Sequence, residues 1–257
     1  MFYTKYNLLF PIGKGMTRIF AALFFVFSLT GVSVALGQEQ ADPLKVLSGM
    51  EAAYAKVDDY TANFLKQERV GGKVLPEENI FLKFKKPFKV YMKWLKGPHE
   101  GREALFVRGK YDNKVVGHDS GILGFLNLKM DPNGKLAMRG NRHPITDVGI
   151  GRLIEIVMTN VRRGEKSGEV TLRLAGEEQV YGRQAWHIKI DYPPEKAKGY
   201  YCRKLDLWVD RELGLPVKII VYGWKGEFLE SYGYRELKIN PGLKEEEFDK
   251  DYKDYNL

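Results

Sequence analysis

Five residues of this 257-residue chain carry the side chains best suited to metal binding or nucleophilic chemistry: His99, His118, His143, His187 and Cys202. The histidines show no His-x-x-x-His spacing, and the cysteine has no Cys-x-x-Cys partner. A single thiol also cannot form an internal disulfide. The sequence therefore predicts no metal site and no cofactor.

The tripeptide His118-Asp119-Ser120 contains the residue types of a catalytic triad. Adjacent residues on a turn point in different directions, however, and the chain has no Gly-x-Ser-x-Gly elbow. Carboxylate pairs such as Asp58-Asp59 and Glu77-Glu78 lie in predicted turns, where they are typical of solvated caps. We therefore predict no catalytic residues and a protein that is not an enzyme.

The best candidate for a polar binding site is a basic cluster: Arg139, Asn141, Arg142 and His143. It lies just before a predicted helix, where free backbone N–H groups and the positive dipole end favour an anion. We therefore expect a phosphate or carboxylate headgroup at Arg139, Arg142 and His143. The alternative is a basic loop in which Thr146 and Asp147 simply cap the helix.

The N-terminal segment has the layout of an export signal. Residues 20–36 contain no charge, follow Lys14 and Arg18, and lead into the small-x-small triplet Ala35-Leu36-Gly37. This layout predicts a secretory signal peptide over residues 1–37, with Met16 as a possible true start, and hence a periplasmic protein. A single N-terminal membrane anchor is the alternative, because about 18 apolar residues can just span a bilayer.

The remaining residues, 38–257, are enough for one domain with its own core. The formal net charge of the chain is +8. Basic residues are spread along predicted strands, whereas a nucleic-acid reader more often gathers them in one helix or arm, so we predict no nucleic-acid partner. A weak attraction to anionic membrane surfaces is compatible with this charge.

Two amphipathic helices are predicted. The first spans residues 43–57, where apolar residues recur at spacings of three and four and Asp42 provides the cap. The second runs from Thr146 or Asp147 to Arg163, with Gly164 as its stop. The charged residues 244–256 are expected to be frayed, apart from the apolar anchor Phe248.

The rest of the chain alternates apolar and polar residues with a period of two, which is typical of strands joined by short turns. A hairpin is expected around Asp131–Gly134, and His187 is expected to be an exposed strand residue. Many strands and only two helices predict an α+β protein with one large, strongly curved antiparallel sheet. Its apolar face must close as a barrel or be covered by the helices, so a hollow is expected.

Four segments of the chain carry a resemblance to a known family: the strand Tyr60–Phe64, FLKFKKPFKVYMKW at Phe81–Trp94, LWVDRELGLPVKIIVY at Leu207–Tyr222, and the terminal strand Leu237–Asn240. These segments resemble the LolA family of lipoprotein carriers and, more broadly, the LolA/LolB/RseB-like fold. The segment Asn141–Gly149 differs from the standard carrier and is similar to a bacterial branch of unknown function related to LolA.

The resemblance implies a half-barrel of about eleven antiparallel strands, with helices covering its concave face and enclosing a cavity for acyl chains. Large apolar residues on the strands and the second helix are candidates for the cavity wall, the alternative for each being ordinary core. These candidates are Leu82, Phe84, Phe88, Met92, Trp94, Phe106, Leu153, Val157, Trp186 and Ile188.

The expected function is that of a non-catalytic periplasmic carrier or chaperone for lipid or lipoprotein acyl chains, with a membrane-bound donor or acceptor protein as a possible partner. One alternative is an RseB-like sensing or interaction module for envelope lipids or lipoproteins. A second alternative is an envelope hydrolase, which needs a converging acid, base or nucleophile that the sequence does not provide.

Overall fold

The computed structural model describes residues 41–120 and 127–257. The predicted signal peptide at residues 1–37 lies outside the described residues. Gln40–Leu257 form one compact unit. Within the described ranges, no helix has both the length and the apolar character needed to cross a membrane.

The first helix, α1, spans Pro43–Ala55, and its prediction is confirmed to within two residues. Asp42 precedes it in extended conformation, and the carboxylate of Asp42 accepts a hydrogen bond from the backbone N–H of Leu44 at 2.9 Å. Pro43 occupies the first turn, where its missing N–H costs no hydrogen bond. Leu47 and Met50 are buried and attach the helix to the sheet.

The second helix, α2, spans Ile150–Ser167 and begins later than its sequence pattern predicted. Residues Ile145–Asp147 form a separate 3₁₀ turn instead of the first helical turn. Gly149 follows with φ at 124°, in the region that favours glycine, and the chain enters the helix from there. The predicted stop at Gly164 is also wrong, because the helix continues to a left-handed Gly168.

Twelve antiparallel strands form one sheet. They are β1 (Asp59–Val70), β2 (Lys73–Val74), β3 (Glu78–Lys85), β4 (Lys89–Lys96), β5 (Glu103–Val107), β6 (Val115–His118), β7 (Leu128–Met130), β8 (Thr171–Val180), β9 (Arg183–Asp191), β10 (Lys204–Asp210), β11 (Pro216–Tyr222) and β12 (Phe228–Ile239). The hairpin expected around Asp131–Gly134 is not formed, since a run of turns follows β7.

The strand order is β7-β6-β5-β4-β3-β1-β12-β11-β10-β9-β8, with the two-residue β2 paired only to β1. The pairing of β1 with β12 joins an early meander to a late one. The outermost strands, β7 and β8, lie at opposite edges, so the curved sheet is not closed. This is the predicted α+β half-barrel, with twelve strands where about eleven were expected.

The period-two pattern decides which side chains meet the helices. On β1, Tyr60, Ala62 and Phe64 are buried in the main hydrophobic core together with the apolar stripe of α2. Ile154 and Val161 belong to that stripe. Burying both apolar surfaces against each other is the main stabilising contribution available to such a two-layer domain.

The C-terminal segment covers the opposite face of the sheet, so the expectation of a frayed end is wrong. Leu243 and Phe248 form a second buried cluster with Tyr91, Leu105 and Val107. The ring of Tyr255 stacks on that of Tyr91, with centroids 3.7 Å apart. The segment is ordered because its few apolar residues find outward-facing apolar partners on β4 and β5.

Replacing Phe248 with alanine should lower the free energy of unfolding by about 3 to 5 kcal/mol, because the ring is 1% exposed and its loss leaves a cavity. Urea denaturation followed by tryptophan fluorescence measures this change. The exposed Lys253 provides the matched control, and Lys253→Ala should change stability by less than about 0.5 kcal/mol. Equal effects of the two substitutions would show that the segment is not docked.

Candidate functional site

A cavity of about 440 Å³ lies beside α2 and the inward face of the sheet. Its volume falls within the range of about 300 to 1,000 Å³ that is typical of small-molecule sites. Strands from both halves of the sheet contribute, as does the connection between β7 and α2. The apolar part of its lining consists mainly of Phe64, Met92, Ala104, Val115, Met130, Leu153, Val157, Leu205 and Ile219.

One side of the cavity is charged. Lys66 and Glu68 continue the inward face of β1 beyond Phe64, and they lie opposite Tyr232 and Glu230 on β12. Glu68 is 3% exposed and Glu230 is 2% exposed. Two buried carboxylates therefore occupy one cross-strand pair, an arrangement that is unfavourable unless cations and hydrogen-bond donors surround it.

Three consecutive residues of the connection before α2 supply these partners. The backbone N–H of Arg142 donates to Glu68 at 2.9 Å, and its guanidinium Nε donates to Glu230 at 2.7 Å. His143 Nε2 lies 3.0 Å from Glu230 Oε2. The side-chain oxygen of Asn141 accepts a hydrogen bond from the ammonium of Lys66 at 2.7 Å. The connection is thereby fixed to β1 and β12.

Two tyrosines complete this network, which we call the carboxylate cluster: Lys66, Glu68, Asn141, Arg142, His143, Tyr201, Glu230 and Tyr232. The hydroxyl of Tyr232 donates to Glu68 Oε1 at 2.5 Å. The hydroxyl of Tyr201 donates to Glu230 Oε1. Every member contacts another member, so the charged side of the cavity is held in one arrangement.

The cluster shifts the pKa values of both members of its acid–base pair. Burial by itself raises the pKa of Glu230, but the hydrogen bonds from His143, Tyr201 and Arg142 outweigh burial and lower it. Burial by itself lowers the pKa of His143, but the hydrogen bond to Glu230 and the charge of that carboxylate raise it. The ion pair is therefore favoured over the neutral pair.

Trp94 is positioned by the same network. Its indole N–H donates to Glu78 Oε1 at 2.9 Å, and the other oxygen of that carboxylate accepts from the ammonium of Lys66 at 2.6 Å. The indole is 7% exposed and its ring lines the cavity. A large aromatic surface is thus fixed at the boundary between the apolar and the charged lining.

The predicted wall residues fall into two groups. Met92, Trp94, Leu153 and Val157 line the cavity. The others lie elsewhere in the structure: Leu82, Phe84, Phe88, Phe106, Trp186 and Ile188.

The second group packs against protein. Phe84 stacks on Tyr60 with ring centroids 5.1 Å apart. Phe88 makes T-shaped contacts with Phe84 and with Phe106, with ring centroids 5.4 Å and 5.8 Å apart. Leu82 and Ile188 are fully buried core residues. The ring of Trp186 lies 4.6 Å from the guanidinium carbon of Arg211.

The three residues expected at a headgroup are also divided. Arg139 and His143 line the cavity, whereas Arg142 contacts Glu230 and does not line the cavity. The carboxylate that Arg142 and His143 contact is the protein's own Glu230. Arg139 is exposed and makes no ion pair with any described residue. The role of these residues toward an external headgroup stays a prediction.

Sequence reasoning missed Lys66, Glu68 and Glu230. A signal for two of them was present, because residues 60, 62, 64, 66 and 68 share one face of a strand. A charge on the buried face of a strand indicates either a partner or a site. The position of Glu230 opposite Glu68 depends on the strand register, which the sequence did not supply.

Two of the remaining chemically capable residues, His118 and Cys202, also line the cavity. Nδ1 of His118 donates to the backbone oxygen of Asp119 at 2.9 Å, and the Asp119 carboxylate accepts from Arg102 at 2.7 Å. Burial raises the pKa of the Cys202 thiol to about 12, which keeps it protonated at neutral pH. In the described residues, no group of three or more His, Cys, Asp or Glu side chains is placed to hold a metal ion.

The expectation that His187 is exposed is wrong. Its side chain lies 2.7 Å from Glu178 Oε1 and 2.8 Å from Asp206 Oδ1, and its ring stacks on Trp208. These carboxylates and the indole cover the imidazole, which is 7% exposed.

A family model described as "Protein of unknown function (DUF1571)" matches residues 57–257. This match agrees with the predicted branch of unknown function. A search of curated proteins finds no match.

Several solved structures are similar to this chain at low sequence identity. The MucA/MucB complex of Pseudomonas aeruginosa is 17% identical over 81% of this chain, with a TM-score of 0.46. The Mycobacterium tuberculosis lipoprotein LppX is 12% identical, covering 79% of this chain and 99% of its own, with a TM-score of 0.47. A LolA superfamily protein from Nitrosomonas europaea is 10% identical, covering 82% and 99%, with a TM-score of 0.35.

The present chain spans less than two thirds of the MucB chains to which it is similar. It covers 63% of one MucB structure and 61% of the MucB structure in the complex.

Replacing His143 with glutamine should remove a pH-dependent contribution to stability. Because the folded-state pKa of His143 is raised, its ion pair stabilises the protein fully below about pH 6.5 and the contribution is lost as pH rises through the folded-state pKa. At about pH 5.5 the substitution should cost about 1 to 3 kcal/mol, and at about pH 8.5 less. Urea denaturation at both pH values measures the difference.

His99→Gln is the matched control, because His99 does not contact Glu230. Burial and Arg102 lower the pKa of His99, so its own contribution rises with pH and its removal should not reduce the loss of stability between the two pH values. A His143→Gln variant that retained the full wild-type decline between these pH values would contradict the assignment. The lowered pKa of Glu230 makes its contribution fall only at acid pH, below about 4.3, so it does not confuse this comparison.

Proposed function

We propose that this chain, which belongs to the DUF1571 family, is a periplasmic carrier or chaperone that binds lipid or lipoprotein acyl chains in its concave cavity without catalysis. The observation that carries the proposal is the cavity of about 440 Å³, whose lining is largely apolar and is charged on one side. A protein interior is normally packed to the density of an organic crystal, so a largely apolar space of this size is suited to a guest molecule.

Transfer of an apolar chain into this cavity is favourable. Each methylene group moved out of water contributes about 0.8 kcal/mol, so a long acyl chain gains on the order of 10 kcal/mol before ordering costs. Met92, Leu153 and Val157 approach such a chain from a strand and from α2. Because the guest supplies contacts that the protein lacks, the occupied form is also the more stable form.

The cavity suits an amphiphile because its lining is apolar on one side and charged on the other. The carboxylate cluster satisfies its own charges, so it needs no ion from the ligand. Arg139 is exposed and lines the cavity, which makes it the residue that we assign to an anionic headgroup. An apolar chain would then lie along the wall with its headgroup toward solvent.

We propose a periplasmic location for this protein because of the predicted signal peptide. Carriage between membranes requires loading and release, so a membrane-bound donor protein would supply the acyl chain or a membrane-bound acceptor protein would receive it. A sensing module would use the same cavity but would hold its ligand while bound to a partner. Transfer of a labelled lipid between donor and acceptor vesicles distinguishes carriage from sensing, because only a carrier raises the transfer rate.

Purification without detergent, followed by mass spectrometry of organic extracts, tests the proposal directly. The expected result is a co-purifying amphiphile and saturable uptake of a fluorescent fatty acid. A protein that carries no amphiphile and takes up no fatty acid would refute the proposal.

Leu153→Glu should weaken fatty-acid binding by at least about tenfold, because it places a charge against the apolar guest. Leu172→Glu is the matched control, since Leu172 is also a half-buried residue on the main core but does not line the cavity. Titration of a fluorescent fatty acid measures both variants after thermal denaturation confirms that each is folded. Equal affinities of the two variants would place the binding site elsewhere.

A further inference from the structure

Two leucines at the cavity are unusually exposed. Among the described residues, the large hydrophobic side chains with exposed positions are Val74, Leu95, Leu128 and Leu136. Leu128 is 43% exposed and Leu136 is 46% exposed, and both line the cavity. An apolar side chain that belongs to the cavity lining and also faces solvent marks the place where the cavity opens.

The segment that carries these leucines is basic. We call Leu128–Arg139 the rim segment; it contains Lys129, Lys135 and Arg139, all exposed, and a single acid, Asp131. The ammonium of Lys129 lies 4.0 Å from the carboxylate of Asp112, at the limit of an ion pair. Lys135 and Arg139 make no ion pair with any described residue. The rim segment therefore presents positive charge beside its apolar side chains.

The rim segment is held by its own hydrogen bonds. The backbone N–H of Gly134 donates to Asp131 O at 2.9 Å, and the N–H of Met138 donates to Gly134 O at 2.9 Å. The side-chain amide of Asn141 donates to Ala137 O at 2.9 Å, while its oxygen accepts from Lys66. The carboxylate cluster thus anchors the end of the rim segment, so the exposed leucines stay at the opening.

We propose that the rim segment is a docking surface for a membrane that contains anionic phospholipids. Lys129, Lys135 and Arg139 are complementary to lipid phosphates, and Leu128 and Leu136 enter the apolar boundary below them. A protein partner with a largely acidic face would match the charge of the lysines. It would not provide the apolar layer that a membrane offers to Leu128 and Leu136. The inference rests on the proposed function, because docking at the opening lets an acyl chain pass between membrane and cavity without crossing water.

Flotation with phosphatidylcholine vesicles, with and without phosphatidylglycerol, tests this surface. Wild-type protein should bind the anionic vesicles and should be released by high salt, because exposed charges are screened. Lys129→Glu/Lys135→Glu should reduce this binding by at least about tenfold, since each basic residue near an anionic surface is worth about fivefold. Lys238→Glu/Lys253→Glu changes the net charge equally, away from the cavity lining, and should reduce binding much less.

Leu128→Ser/Leu136→Ser tests the apolar part of the surface and should reduce vesicle binding by about threefold or more. Val74→Ser/Leu95→Ser is its control, because these leucine and valine side chains are similarly exposed but do not line the cavity. Equal vesicle binding by each pair and its control would overturn the proposal, as would binding that does not depend on phosphatidylglycerol.

Fatty-acid titration without vesicles separates this inference from the function on which it rests. Lys129→Glu/Lys135→Glu should retain wild-type affinity for a fluorescent fatty acid, because neither lysine lines the cavity. Wild-type protein that binds fatty acid but no anionic vesicles would refute the docking surface alone. Wild-type protein that binds vesicles through the rim segment but takes up no fatty acid would refute the carrier function and support the docking surface.

Discussion

Glu68 and Glu230 face each other across neighbouring strands with almost no exposure to water, and this pair constrains much of the structure. Two carboxylates in such a position destabilise the sheet unless donors and cations reach both of them. Arg142 and His143 come from the long connection between the two meanders, so compensating the charges also fixes where that connection runs. The position of the rim segment and the approach to α2 both follow from this requirement.

The cavity is a further consequence of the same pair. The inward side chains of β1 change from Tyr60, Ala62 and Phe64 to Lys66 and Glu68 along one face, so α2 finds apolar partners over only part of the sheet. The hydroxyl of Tyr60 accepts from the first N–H of α2 at 3.1 Å, which sets the depth of that end of the helix. Beyond it, the charged side of the sheet keeps its own partners, and a space lined by both apolar and charged side chains remains between the two regions.

The strands were predictable because apolar and polar residues alternate along them with a period of two. The first helix was predictable because its apolar residues recur at spacings of three and four and because Asp42 caps it. The start of α2 was not, because the residues that seemed to cap the helix form a separate 3₁₀ turn. Among the aromatic residues, Phe84, Phe88 and Phe106 share the inward face with Trp94, yet they pack on one another while Trp94 reaches the cavity. Whether an inward-facing side chain reaches the cavity depends on the strand register and on the curvature of the sheet. Periodicity gives only the face on which the side chain lies.

The free edges at β7 and β8 have a consequence for the guests of the proposed carrier. In a closed barrel, hydrogen bonds between every pair of neighbours fix the circumference. Here the first and last strands in the sheet order have no such bond, so these two edges can move relative to each other while the β1–β12 ladder that joins the two meanders stays intact. The circumference is therefore not fixed by a closed ring of hydrogen bonds, which suits the proposed carrier to guests of different thickness rather than to a single shape.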